Sequence, residues 1–309
     1  MAQKSAQRKQ QDTSQQALAH LAATADGFNA AVAQCAQDAD PDAVHRVRTG
    51  SRRLQAMLEA TLRETPGPAL EQPARAWLRQ LKQIRRAAGA VRDLDVHRKL
   101  LEDWVGKDSG PLSKQAEMLD AWLKGERKRL AHGMQKQTRK RQPALAEGQA
   151  GFLAGMSHAA LSSRRNSRPA DAVALEDFVR AADAMPVLDA ENLHDFRKAT
   201  KKARYVAESA ADGQTSNSVA IALKRIQDAI GDWHDWLCLR EEASAALGQE
   251  APDLTAFLDR EVESHFAAAM KTTQSTRGRI LGEWMASQPP AKRPPGVVRV
   301  GQRGLASGF

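Results

Sequence analysis

Apolar residues recur at three- and four-residue intervals from Ala17 to Ala60, the spacing of a helix with one buried face. No window of the chain offers the alternating pattern of a strand bounded by turns, so the fold is predicted to be all-α. Proline and glycine interrupt the periodicity at residues 65–68, Pro73, residues 109–111, Pro143, Pro169, Pro186 and from Pro289 onward. These breaks predict helices of ordinary length.

Two pairs of segments repeat in order. DPDAVHRVRTGSRRL from Asp40 shares its layout with DAENLHDFRKATKKARY from Asp189, at an offset of 149. LKQIRRAAGAVRDLDV from Leu81 matches LKRIQDAIGDWHDWLC from Leu223, at an offset of 142. Two similar halves are therefore expected at 14–161 and 172–287, joined by a polar, basic linker at 162–171. Residues 1–13 and the Pro- and Gly-containing tail at 288–309 are expected to be weakly ordered.

Asp40 before Pro41 reads as an N-cap followed by a first-turn proline, and Asp189 as the matching helix start. At about 100° per residue, His45, Arg48 and Arg52 then fall within about 60°, flanked by Arg53, while Val44, Val47, Leu54, Met57 and Leu58 form a separate apolar arc. In the second copy His194, Arg197, Lys201, Arg204 and Tyr205 fall within about 100°, beside Lys202, opposite Phe196, Ala199, Ala203 and Val206. Lys82, Arg85, Arg86, Gly89, Arg92 and Asp93 share a face of the next helix. A glycine there costs about 1 kcal/mol relative to alanine, which implies close approach by a neighbouring helix or an extended ligand, and Gly231 repeats the feature.

Charge changes what these stripes mean. The 309 residues carry 46 Lys and Arg against 37 acids, a formal +9, and the isoelectric point is near 9.8. Like charges at three- and four-residue spacing repel by a few tenths of a kcal/mol per pair, a cost that an anion removes. Arg supplies a donor fork for phosphate oxygens, Lys a mobile charge and His an adjustable donor. A single stripe is commonly only a solvated face; its repetition favours a polyanion site. Asp93 and Asp235 read as orienting ion-pair partners of nearby cations rather than general acids.

Other classes recede. The two cysteines, Cys35 and Cys238, sit in apolar helical patterns and indicate neither a disulfide framework nor a metal site. The eight His residues show no metal-ligand spacing and no Gly-rich phosphate loop occurs, so no metal, cofactor or catalytic residue is expected. No apolar run approaches the roughly 18 residues of a membrane span, so no membrane partner is expected and the expected location is the cytoplasm. Aromatics make up only 5% of residues, which leaves nucleic acid as the alternative partner through phosphate contacts alone. A phosphohydrolase and an adaptor for an unnamed acidic protein are further alternatives.

HRVRTGSRRL with GAVRDLDV, and LHDFRKATKKARY with IQDAIGDWHD, resemble the two halves of a CHAD domain, the conserved histidine α-helical domain, from about Ser14 to Ser287. The resemblance implies two pseudo-symmetric four-helix bundles around a basic central cavity, non-catalytic binding of inorganic polyphosphate, and association with polyphosphate granules. It assigns binding to His45, Arg48, Arg52, Arg53, Lys82, Arg85 and Arg92, and to His194, Arg197, Lys201, Lys202, Arg204, Tyr205 and Lys224. Gln227 and Asp228 stand where the first half has Arg85 and Arg86, which implies a weaker field along the second copy. Gly50 inside the first basic helix is a further departure, expected to loosen or bend it.

Overall fold

The computed structural model describes residues 2–64, 67–105, 111–160, 170–210 and 218–287. Their order is α1 (Ala2–Gln37), α2 (Pro41–Glu64), α3 (Pro68–Val105), α4 (Pro111–Ala160), α5 (Ala170–Ala184), α6 (Leu193–Ala210), α7 (Ser218–Leu247) and α8 (Pro252–Ser287), with a short 3₁₀ turn at Gly248–Glu250. No strand occurs among the described residues. The fold is all-α, as the periodicity predicts.

Apolar faces explain the packing. Phe28, Val47, Leu54, Trp77, Ile84 and Phe152 anchor a core shared by α1–α4. Phe178, Phe196, Ile226, Ile230, Trp233 and Ile280 anchor a second core shared by α5–α8. A third joins the halves: Leu94 and Leu101 of α3 and Leu119 and Leu123 of α4 pack with Trp236, Leu239, Leu254 and Leu258 of α7 and α8. Trp104 stacks on Phe257 there with ring centroids 4.2 Å apart, and the buried His97 meets Glu242 at 2.7 Å. Full burial of each large side chain stabilises by about 1.5–3 kcal/mol, so this seam fixes how the halves meet.

The matched segments bury corresponding positions. Val44, Val47, Leu81 and Ile84 are buried, as are their counterparts Leu193, Phe196, Leu223 and Ile226. Ser51 and Thr200 also match, and each buried hydroxyl donates to its own helix, to Arg48 O at 2.9 Å and Phe196 O at 3.0 Å.

Several local expectations change. The helices are longer than ordinary, with 38 residues in α3 and 50 in α4, because Pro73 and Pro143 lie inside them rather than ending them. Pro73 lacks the N–H that would bond Ala69 O, and α4 approaches that carbonyl through Gly155, where a Cβ would sit 2.8 Å from it. Pro143 is exposed, where solvent can satisfy the carbonyl it leaves open. Residues 2–13, expected to be weakly ordered, belong to α1, consistent with the good helix formers Ala, Gln, Lys and Arg that dominate them. The expected linker lies largely outside the described residues, with α5 starting at Ala170, and the 288–309 tail lies wholly outside them. Gly50 leaves α2 unbroken and lets it approach Phe28, whose ring would be 3.1 Å from an added Cβ.

Candidate functional site

The two basic helices begin with side-chain caps. Asp40 Oδ1 accepts from the backbone N–H of Asp42 at 3.0 Å and Ala43 at 2.9 Å. Asp189 Oδ1 accepts from the N–H of Glu191 and Asn192, both at 2.9 Å, in the turn that leads into Leu193. Capping fixes where each helix starts, the apolar face fixes its rotation, and the cations are left on the side where α2 and α6 face each other.

Between α2, α3 and α6 lies a cavity of about 550 Å³. Arg52, Arg63, Arg85, Lys198, Lys201 and Lys202 line it against one acid, Glu59, with Gln55, Ala56, Tyr205 and Val206 completing the wall. The matched pairs Arg52 and Lys201, and Ala56 and Tyr205, both reach it, so each half supplies equivalent positions to one space. Arg85 donates to Gln55, and the Arg204 guanidinium lies 4.8 Å from the Tyr205 ring centroid. Such contacts hold flat side chains in place without removing their charge.

Cations crowd the floor. Burial, reinforced by Arg52, Arg197, Arg48 and Arg204, pushes the Lys201 ammonium down to about 6. Burial likewise lowers Arg52, Arg85 and Arg197, though a guanidinium stays charged at neutral pH. Lys201 has no hydrogen-bond or ion-pair partner among the described residues. An anion entering this space meets fixed positive charge and a base that gains a proton on its arrival.

The acids act on this cluster from behind. Arg48 donates to Asp93 at 2.5 Å, as an orienting pair predicts. Asp235, raised mainly by burial, also feels His97, Arg197 and Arg48. Arg197 donates to Gln227 O at 3.2 Å and lies against Gly231, where a Cβ would come within 2.8 Å of its guanidinium. Gly231 is thus a close approach by a side chain. Gly89 is not: an added Cβ there meets nothing within 4 Å, so no neighbouring helix approaches closely at that glycine and its surroundings are open.

His194 and His234 stack with ring centroids 4.2 Å apart and planes at 20°. Burial lowers His194, with Lys198 and Arg197 adding to the effect, and burial with His194 and Arg197 pushes His234 down to about 4. Neutral rings can stack at this distance without charge repulsion. Partial burial and then Arg92 and Arg48 lower His45 in the same direction. Burial pushes the thiols of Cys35 and Cys238 up to about 12, so neither is held as a nucleophilic thiolate. Among the described residues no group of three or more His, Cys, Asp or Glu side chains could hold a metal ion.

Of the residues singled out from sequence, Arg52, Arg85, Lys201, Lys202 and Tyr205 line the cavity. Arg48, Arg197 and Arg204 surround Lys201 electrostatically, and His45, Arg92 and His194 belong to the charge network at the starts of the basic helices. Arg53, Lys82 and Lys224 are exposed and absent from the cavity wall, and Lys224 is paired with Asp228 at 2.5 Å. Arg63 and Lys198 line the cavity but were not singled out. Arg63 stands eleven residues after Arg52, three helical turns along the same face, which is the signal that finds it.

A family model described as the CHAD domain matches residues 15–244, from α1 into α7. The crystal structure of the CHAD domain from the plant Ricinus communis is similar with a TM-score of 0.61 and 20% identity, over 86% of this chain and 91% of that one. PptA from Streptomyces chartreusis is similar with a TM-score of 0.53 and 18% identity, over 88% of this chain and 99% of that one. At these identities the structural likenesses concern the fold. Comparison with curated proteins gave no match.

Proposed function

The chain belongs to the CHAD domain family, and from that premise we propose that it binds inorganic polyphosphate, without catalysis, in the cavity between α2, α3 and α6. The observation that carries this reading is the wall of six Lys and Arg side chains facing one glutamate, drawn from both halves, with Arg52 and Lys201 at matched positions. Arg and Lys head groups at the edge of a half-buried space can donate to several phosphate oxygens at once, and low local dielectric strengthens each contact.

Polyphosphate is favoured over nucleic acid because Tyr205 is the one aromatic side chain in the wall, and its ring lies beside the Arg204 guanidinium. Single-stranded binders rely on open aromatic platforms for bases. The absence of catalysis is supported by how the acids are engaged: Asp93 pairs with Arg48, and the half-buried Asp235 feels the charges of Arg197 and Arg48. Association with polyphosphate granules in the cytoplasm follows as part of the proposal. No described helix is long and apolar enough to cross a membrane.

Competition tests the reading. Labelled long-chain polyphosphate should be displaced at near-physiological salt by unlabelled polyphosphate and poorly by excess duplex DNA or RNA; equal displacement by all three refutes selectivity. Incubation with polyphosphate and a divalent cation should release no orthophosphate. Release that disappears in the His45→Ala, His194→Ala variant would overturn the non-catalytic reading.

A further inference from the structure

Away from the cavity, the middle of α4 concentrates the charge of the chain. From Lys124 to Arg141, eight of 18 residues are Lys or Arg and one, Glu126, is acidic, a net +7 in a chain whose total is +9. Lys124, Lys128, His132, Lys136 and Lys140 follow one another at four-residue steps, and all five are exposed. On a helix such steps advance about 6 Å and turn about 40°, so the series covers about 24 Å and winds through about 160°.

The structure separates the cations that hold the fold from those that do not. Arg127 reaches inward to Asp95 at 2.5 Å and Ala39 O at 2.9 Å, and Arg139 donates to Ala36 O at 2.8 Å. Lys124 pairs with Asp120 at 2.6 Å. Lys128, His132, Lys136 and Lys140 have no acidic partner among the described residues. The first turns of this stripe border a groove of about 720 Å³ between α4, the end of α3 and the α1–α2 corner.

The fold does not require this charge. The fourth helix of the other half, α8, carries four Lys and Arg against five acids between Pro252 and Ser287. Like charges stacked at four-residue steps repel, and the stripe lacks the interleaved acids that would offset this. A polyanion bound along it would.

We propose that the exposed α4 stripe is a second polyphosphate-binding surface, separate from the cavity, so that one molecule engages two chains or two stretches of one chain. The proposal rests on the polyphosphate reading of the cavity. A flexible single-file chain of phosphates can follow a stripe that winds around a helix, whereas a rigid duplex can touch only the part of it that lies along one line. Two sites joined in one rigid fold raise the effective concentration for a long chain and allow cross-linking of separate ones.

The test compares three full-length proteins: the unaltered chain, Lys128→Gln with Lys136→Gln and Lys140→Gln, and Arg52→Ala with Lys201→Ala. Short-chain polyphosphate should saturate the first at two per molecule and each variant at one. Long-chain polyphosphate should make only the unaltered protein scatter light through cross-linking. For long-chain binding, losing three phosphate contacts should also flatten the dependence of log affinity on log salt by roughly 2, at about 0.7 per contact. Thermal unfolding of the α4 variant should come no earlier than that of the parent, since those side chains are exposed and their loss relieves repulsion. Unaltered stoichiometry and salt slope in the α4 variant, with normal binding to the parent, overturn the second surface alone. Absence of polyphosphate binding by the parent overturns both readings, and capture of duplex DNA by the stripe in preference to polyphosphate overturns this one.

Discussion

The first-half and second-half basic helices are built on one plan but hold their charges differently. In the first half, Arg48 is tied to Asp93, Arg85 leans on Gln55, and Arg52 faces the cavity. In the second, Lys201 stands without a partner among the described residues, Arg197 is held against Gly231, and α7 offers Gln227 and Asp228 where α3 has Arg85 and Arg86. Asp228 neutralises Lys224, so α7 contributes packing and a histidine stack while α2, α3 and α6 supply the field. Duplication therefore sets the places of the cations, and the later substitutions decide which remain available.

The largest effect should come from removing the matched pair at the junction. Arg52→Ala with Lys201→Ala is expected to weaken polyphosphate binding at the cavity by at least a hundredfold, from about 1.5–3 kcal/mol per charged hydrogen bond lost. Helicity should hold, because neither side chain belongs to an apolar core. Titration of each single variant and the double variant with short-chain polyphosphate checks this. The corresponding Lys224→Ala change should be nearly silent, since its charge is already compensated on the surface.

Next comes pH, which separates the second half from the first. Lys201 sits near 6 in the empty cavity and must rise when an anion binds. Binding then takes up a proton, so affinity is highest below about 6 and falls as pH rises from there towards the value Lys201 reaches when bound. One proton gives at most about tenfold per pH unit. His194 and His234, also lowered, act in the same direction towards acid pH. Lys201→Gln should flatten the profile above about 6, while Arg52→Ala, whose guanidinium does not titrate there, should lower affinity without flattening it as much. Affinity measured from pH 5 to 9 in all three proteins decides the point.

The matched glycines provide the smallest contrast. Gly89→Ala meets open space and should stabilise α3 by about 0.5–1 kcal/mol, seen as a higher midpoint of unfolding. Gly231→Ala crowds the Arg197 guanidinium and should lower affinity several-fold, with little gain in stability. Equal behaviour of the two variants would break the distinction.

Much of this was legible in the sequence because a repeat carries its own alignment. The caps at Asp40 and Asp189 and the buried positions Val47 and Phe196 follow from period and offset. Pro73 and Pro143 misled because local rules treat proline as a terminator, whereas packing carries both helices through it, with Pro143 left exposed to solvent. Lys82 shares a helical face with Arg85, which lines the cavity, and Lys224 is its match on α7, but periodicity does not say how far a face reaches. Arg63 and Lys198 escaped because they lie outside the matched set, and the α4 stripe escaped because it belongs to one half only.

The most direct measurement is a crystal structure of the chain with polyphosphate. The account predicts a row of phosphates within hydrogen-bond reach of Arg52, Arg85 and Lys201, between α2 and α6. A cavity free of phosphate in a crystal where the ligand is bound elsewhere on the surface would contradict it.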